Sequence, residues 1–360
     1  MSQFSSKIAV ATLAYTASLA LAACTFEVES RERAQVEAPS EPLKPSAAPQ
    51  SACLLGKGPL ARVASYETRF AGASAVASAR GAFAIAAEHE LGVLSFDPAG
   101  PRLDAVVSEP GDAVTTAGVP PAIALAANGS RLAFGNGNGA VTVWDVAQRT
   151  IVARLEALTQ GMATLALSDD GALVAVGDPS GAVRLWTPDT GEIVRAPQNL
   201  QAKALIFMPA QTDLLVAGRT LSGWSSIEVL ERWSHASGFS QTGQCNVQSL
   251  EAVAVTPSGA ELVAIGASGL TRFDAAAMTP NLGAPADAWH DPQVLAMSPD
   301  GALFATLGSE GTLRLFETAT MSEVARADVA LQIGLVFDAA GERIASVGRD
   351  GMLHVFGCMR

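Results

Sequence analysis

Histidine and cysteine are scarce in this chain of 360 residues, which has four of each. The histidines, at 89, 235, 290 and 354, show no metal-ligand spacing, and neither an HExxH nor a CxxC pattern occurs. The sequence also lacks a Gly-x-Ser-x-Gly nucleophile elbow and a glycine-rich phosphate loop that opens a helix. We therefore expect no metal site, no cofactor and no catalytic residue of these familiar kinds.

Basic residues are also few, since 23 lysines and arginines face 35 aspartates and glutamates, which gives a net charge of −12. A surface that follows nucleic-acid phosphates needs the opposite balance, so we expect no nucleic-acid partner. Charged residues make up only 16% of the chain and hydrophobic residues 49%, which provides ample material for a large core.

No apolar run is long enough to span a bilayer, which takes ~20 residues. The longest early run, Ile8 to Ala23, suits a secretory signal peptide over residues 1–23. It ends in Leu21-Ala22-Ala23-Cys24, which resembles the bacterial lipobox and implies lipidation of Cys24. The alternative is ordinary cleavage after Ala22 or Ala23. Under the lipobox interpretation Thr25, which is not Asp, favours the outer membrane if the organism is Gram-negative.

Residues 24–50 are rich in Glu, Ser, Ala and Pro and show no hydrophobic periodicity. Such a segment cannot offset its ordering entropy, so we predict an extended tether. We expect the folded domain to occupy residues 51–360, anchored to a bacterial cell envelope by lipid alone.

The clearest folding signal lies between Ala122 and Ala157, where four short apolar segments are separated by polar joints. Ala140–Trp144 alternates as a strand does, and Asn128-Gly129 suits a tight hairpin turn. The stretch predicts a four-stranded antiparallel meander. One meander cannot bury both of its faces, so the unit should repeat.

A large apolar residue marks the end of the third segment in each of seven units. Successive markers lie about 40–48 residues apart, the period of a four-stranded propeller blade. The markers are Phe96, Trp144, Trp186, Leu230, Phe273, Phe316 and Phe356.

These residues resemble the WD40 repeat family, with Trp144-Asp145 as its characteristic dipeptide and Gly177–Val194 as a further similar stretch. The resemblance covers roughly Leu60 to Arg360, although no unit has the family's Gly-His dipeptide. It implies an all-β fold: a seven-bladed β-propeller of four-stranded antiparallel blades. It also implies that Leu60–Phe70 closes the ring by lying beside Met352–Cys358 in the last blade.

Ring closure of this kind would bring Cys53 near Cys358, and an exported protein can oxidise such a pair. We therefore predict a Cys53–Cys358 disulfide and leave Cys245 as the odd cysteine. The alternative is that all three are reduced and unrelated thiols.

In this architecture, loops between second and third strands share one face with the connections between blades. His89 and Trp224 fall in loops of the first kind, in blades one and four, and Trp289 and His290 lie between blades. Blade four is expected to have an unusually long loop, Gly218–Ser226. Exposed aromatics in loops are typical of binding surfaces, so these four residues are candidate partner contacts. Alternatively, the tryptophans fold back over apolar sheet.

An anchor, a long tether and a ring of loops without convergent catalytic groups favour the first of two possible functions. The first is a monomeric, lipid-anchored, non-enzymatic scaffold that binds another envelope protein or a cell-surface polymer. The second is an envelope lactonase or hydrolase with its site at the central channel. Its candidate catalytic residues would be His89 with either Glu88 or Glu90, and Arg219. A quinone-dependent dehydrogenase is weaker, because eight blades and regular tryptophan docking repeats are not seen. A channel lined by Ala, Ser and Val would count against the enzyme.

Overall fold

The computed structural model describes most of the chain from residue 60 onward. The described residues are 60–79, 81–87, 90–97, 100–108, 122–135, 139–156, 164–178, 180–195, 200–222, 225–236, 238, 240–247, 250–266, 269–285, 292–329 and 332–358. The predicted signal peptide and tether, together with Cys24 and Cys53, lie outside them. Within this part, no helix is long and apolar enough to cross a membrane.

The described chain is all β and forms seven four-stranded antiparallel sheets, so the predicted seven-bladed β-propeller is confirmed. Blade one is β2–β5 and blade two is β6–β9, and each later blade takes the next four strands up to blade six, β22–β25. Blade seven combines β26–β28 with β1. The strands are β1 Leu60–Glu67, β2 Ala75–Ala79, β3 Ala82–Ala86, β4 Glu90–Asp97, β5 Gly100–Ser108, β6 Ala122–Leu125, β7 Arg131–Gly135, β8 Ala140–Asp145, β9 Thr150–Glu156, β10 Thr164–Leu167, β11 Val174–Gly177, β12 Val183–Thr187, β13 Glu192–Arg195, β14 Leu200–Phe207, β15 Leu214–Ser222, β16 Ser225–Ser234, β17 Ser240–Val247, β18 Leu250–Val255, β19 Glu261–Gly266, β20 Gly269–Asp274, β21 Thr279–Pro285, β22 Pro292–Met297, β23 Leu303–Gly308, β24 Thr312–Glu317, β25 Ser322–Asp328, β26 Gln332–Phe337, β27 Ile344–Gly348 and β28 Met352–Cys358.

The first strand of every blade lies at the centre of the ring. Each contacts the first strands of both neighbouring blades, and β2 contacts β26, which closes the circle. Because the strands alternate in direction, two kinds of loop share each end of the ring. The connection face has the second-to-third loops, such as that between Ala86 and Glu90, and the inter-blade connections. The hairpin face has the remaining turns, such as that between Leu125 and Arg131.

Ring closure occurs as predicted, through the N-terminal strand. β1 pairs antiparallel with β28, with Leu60 opposite Cys358 and Glu67 opposite Met352. The chain after β1 is held to the same blade, because the Thr68 hydroxyl donates to the Gly351 carbonyl oxygen at 2.6 Å. This pairing covers an edge of β28 that would otherwise expose unpaired backbone groups.

The core lies between the blades, where side chains from facing sheets interdigitate. All seven marker residues fall in third strands and are buried, as the period predicted: Phe96, Trp144, Trp186, Leu230, Phe273, Phe316 and Phe356. Cross-strand neighbours within a blade also pack closely: in blade six, Phe304 lies opposite Phe316, and their rings stack with centroids 4.9 Å apart. Burial of aromatic residues of this size provides much of the hydrophobic stabilisation.

Acidic residues in the hairpin turns of blades three and six close those turns with their own side chains. In blade three the Ser168 hydroxyl donates to Asp170 at 2.6 Å, and the Ala172 amide donates to the same carboxylate at 2.9 Å. Blade six repeats this arrangement with Ser298 and Asp300. These bonds hold the pKa of both carboxyls below their usual range. The turn residues thus act locally on backbone conformation.

Blade four differs from the prediction. The expected loop Gly218–Ser226 is instead mostly ladder, since β15 and β16 pair as far as Ser222 and Ser225. The strands have nine and ten residues, the longest second and third strands among the described blades. The hairpin here extends beyond the core that packs between blades. Polar residues are tolerated in such an extension, so the sequence lacks the alternation of apolar and polar residues that predicts a strand.

Candidate functional site

A central cavity of about 680 Å³ runs between the seven first strands toward the hairpin face. Its described lining is almost wholly apolar side chains and backbone, with Ser78 and Ser298 as polar additions. Asp169 is the one titratable side chain in that lining. Its carboxylate accepts a hydrogen bond from the Ala210 amide at 3.0 Å and so joins the turns of blades three and four. The apolar lining residues include Ile123, Leu125, Leu165, Leu205, Val253, Val255, Leu295 and Val336.

Two of the residues expected of a channel enzyme are described, and both take part in ion pairs. Glu90 in blade one bonds to Arg69, with Oε1 and Nη2 2.7 Å apart. Arg219 in blade four lies 3.6 Å from the carboxylate of Glu228. Neither Glu90 nor Arg219 lines the central cavity. Glu88 and His89 lie outside the described residues, so their placement is untested.

The candidate partner contacts also fall outside the described residues. His89 follows β3, Trp224 lies between β15 and β16, and Trp289 and His290 lie between β21 and β22. The strand ends that flank all three segments belong to the connection face. The role of these four residues stays a prediction.

A charged cluster on the connection face joins blades four and five. Lys203 Nζ lies 2.6 Å from Glu228 and also donates to the Leu250 carbonyl oxygen at 3.2 Å. The Leu250 amide donates to the second oxygen of Glu228. Burial opposes ionisation of Glu228, but these bonds and the charges of Lys203 and Arg219 outweigh it and lower its pKa. The cluster therefore fixes the base of the long blade-four hairpin.

On the hairpin face, arginines bridge neighbouring blades. Arg131 of blade two donates to the Gly171 carbonyl oxygen and to Asp189 in blade three, at 3.1 and 2.9 Å. Arg272 of blade five likewise donates to Thr318 and Ala319 in blade six. These guanidinium groups satisfy turn carbonyls and are engaged in holding blades together.

A comparable bridge lies at the closing seam between blades seven and one. Arg343 pairs with Asp338 at 3.1 Å, and both side chains are buried. The same guanidinium lies over the Phe96 ring of blade one, 5.1 Å from its centroid. A buried, paired charge beside an aromatic face is a structural contact.

The arginine bridges and the Lys203–Glu228 cluster were not predicted from the sequence. No common spacing marks them, because each depends on which carbonyl or carboxylate a neighbouring blade presents. The described residues also contain no group of three or more histidine, cysteine, aspartate or glutamate side chains placed to hold a metal.

Asp178 and Asp350 close second-to-third turns, in blades three and seven. Asp178 accepts hydrogen bonds from the Ser180 and Ala182 amides at 2.9 and 3.1 Å. Asp350 accepts one from the Met352 amide at 3.0 Å. Their geometry is that of a turn.

A scan against protein-family models gives no match to this chain, and a search of curated proteins gives none either.

Proposed function

We propose that this chain is a lipid-anchored, WD40-like propeller of a bacterial cell envelope that binds another protein through its connection face. The observation that carries the proposal is the central cavity, whose described lining has a single titratable side chain, Asp169, already bonded to Ala210. A hydrolase needs an acid, a base or a nucleophile positioned together. A scaffold needs only an accessible, well-supported surface.

The connection face offers such a surface. The blade-four hairpin extends its ladder to Ser222 and Ser225, and the Lys203–Glu228 cluster supports its base. Exposed Ile227 lies on the same hairpin, with 45% of its surface accessible. Apolar and aromatic groups on rigid elements are typical of protein-binding sites.

The anchor is supported by sequence. Cys24 follows a lipobox-like run, and the polar segment 25–50 separates it from the propeller. At ~3.1 Å per residue, 26 residues reach at most about 80 Å, enough for the propeller to meet a partner away from the membrane.

One experiment in the native organism tests both parts. Cys24→Ala should abolish lipid labelling and release the protein from the membrane fraction. Photo-crosslinkers placed at Trp224 and Trp289 should capture a discrete envelope protein, and His235, exposed on the hairpin face, is the matched control.

Membrane retention of the Cys24→Ala protein would reject the anchor. Equal capture from position 235, or no capture from positions 224 and 289, would reject the connection face as the binding surface.

A further inference from the structure

Each blade ends in an outermost strand whose far edge pairs with no other strand of its sheet. The unpaired backbone groups of such an edge can pair with a strand from another chain, and proteins commonly prevent this with charged residues or prolines. Six of the seven outermost strands have such residues: Arg62 and Glu67 in β1, Pro101, Arg102 and Asp104 in β5, Arg154 and Glu156 in β9, Glu192 and Arg195 in β13, Pro280 and Pro285 in β21, and Glu323, Arg326 and Asp328 in β25.

The exception is β17 of blade four, whose sequence SQTGQCNV has neither a charge nor a proline. It is also long, with eight residues, and pairs with β16 at seven positions. The blade that departs most from the common pattern therefore also has the one outermost strand without these blocking residues.

The two faces of β17 differ in character. Cys245 pairs with Leu230, and a Cβ on Gly243 would lie 2.7 Å from Met278 of blade five, so this face packs inward. The other face presents Gln241, Gln244 and Asn246, all exposed.

Two of the three exposed amides are hydrogen-bonded to each other, and all three lie on one side of the strand. Gln241 Nε2 donates to Gln244 Oε1 at 3.0 Å. They lie on the side toward blade three, since Asn246 and Gln241 pair with Val229 and Trp233, which pack in the cluster shared with that blade. Blade three has only a four-residue outermost strand there, β13.

The geometry points to β17 as a docking edge that receives an extended segment of a partner protein as a fifth strand of blade four. The segment would be uncharged, with amide or hydroxyl side chains on alternate residues beside Gln241, Gln244 and Asn246. Main-chain hydrogen bonds would provide affinity, and the side-chain row would provide register. This inference rests on the proposed scaffold function and names a second surface for it.

A partner segment fits this edge better than a second copy of the chain. The net charge of −12 opposes the approach of two copies, whereas a neutral segment meets no such repulsion. The edge itself offers no charge to offset that repulsion, because β17 is neutral throughout.

The test uses the folded full chain and a capped eight-residue peptide in which glutamine or threonine alternates with alanine. We expect saturable binding, with slower hydrogen exchange at the amides of β17. A peptide with all of its backbone nitrogens methylated should not bind, because it has lost the hydrogen-bond donors of both edges.

Gln244→Lys, which introduces a charge into the one outermost strand that lacks both charges and prolines, should weaken peptide binding at least tenfold. Ser322→Lys at an exposed position of β25 is the matched control and should leave the affinity unchanged. Circular dichroism and the thermal midpoint check that both variants fold as the parent does.

Three results would each overturn the inference: no binding, equal binding of the methylated peptide, or unchanged affinity after Gln244→Lys. A dimer of the parent protein that Gln244→Lys dissociates in sedimentation would assign the edge to a second copy instead. Crosslinking from Trp224 and Trp289 uses another surface, so it can succeed when this test fails.

Discussion

Two glutamates of β16 lie three positions apart in opposite electrostatic environments. Glu228 lies beside Lys203 and Arg219 and accepts a hydrogen bond from the Leu250 amide, and these interactions lower its pKa despite its burial. Glu231 is only 7% exposed and accepts one hydrogen bond, from Trp233 Nε1 at 2.8 Å. Burial therefore raises the pKa of Glu231, and the bond from Trp233 opposes the rise without cancelling it. The pH dependence of stability should differ in sign between the two residues.

For Glu231 the folded pKa lies above the unfolded one, so its protonated form stabilises the fold at low pH. This contribution is lost as pH rises through the folded pKa. Glu231→Gln keeps an acceptor for Trp233 and removes the buried charge. We expect it to increase the free energy of unfolding at pH 7 by about 1 kcal/mol, the usual size of single-substitution effects, with no gain at pH 4.

Glu228→Gln is the matched control, because the stability from the ionised form of Glu228 is present above its unfolded pKa and lost in acid. It should destabilise the protein at pH 7. Denaturant titrations at both pH values measure these differences, and equal effects of the two substitutions would contradict this electrostatic assignment.

Among the structural elements, the segment after β1 links the closing strand to the first blade. Phe70 is 1% exposed and packs in the cluster shared by blades seven and one. Its ring lies against the backbone of Gly92 in β4, where a Cβ would come within 1.9 Å of the ring carbon Cζ. The absence of a side chain at position 92 is thus what allows this contact.

Gly92→Ala should lower the free energy of unfolding by about 1–3 kcal/mol, because it overpacks a filled site. The loss should shrink in a Phe70→Leu background, since the two residues share one contact. Gly283→Ala on β21 is the control, because a Cβ there would lie 3.7 Å from the Leu270 carbonyl oxygen, an ordinary van der Waals distance. Additive losses in the double variant would argue against the Phe70 contact as the cause.

The sequence predicts a strand reliably only where that strand must bury large apolar residues between blades. Markers such as Trp144 and Phe316 predicted seven third strands correctly, because burial between blades demands large apolar residues at a fixed period. The same signal failed at Gly218–Ser226, where the ladder leaves the core and polar residues suffice. The site was less predictable still: Arg131 and Lys203 act across blade boundaries, and local sequence does not encode the facing carbonyl.

Across the whole molecule, stability depends on how the two ends of the described chain meet. Blades one to six each come from one continuous segment, whereas blade seven joins β1 to β28 across nearly the full sequence. The register brings Leu60 beside Cys358. Cys53 lies seven residues before Leu60, within about 25 Å even for a fully extended chain. The ring closure thus allows, without requiring, the predicted Cys53–Cys358 disulfide.

Such a bridge would close a loop of about 300 residues, which in the loop-entropy model gives about 6 kcal/mol, less any native strain. We expect Cys53→Ser and Cys358→Ser each to lower the unfolding free energy by several kcal/mol, and reductant to do the same to the parent. Cys245→Ser is the control. Cys245 is a half-buried free thiol, and its burial raises its pKa to about 11. Little thiolate is therefore available at neutral pH for disulfide exchange.

Peptide mapping of the mature protein under non-reducing conditions identifies the bridge directly. The linked fragment should contain Cys53 and Cys358, and it should disappear on reduction together with the extra stability. Free thiols at both positions would mean that non-covalent contacts alone, chiefly the β1–β28 ladder, close the ring. In that case reductant should leave the unfolding curve unchanged, because it would break no bond and would not alter the denatured ensemble.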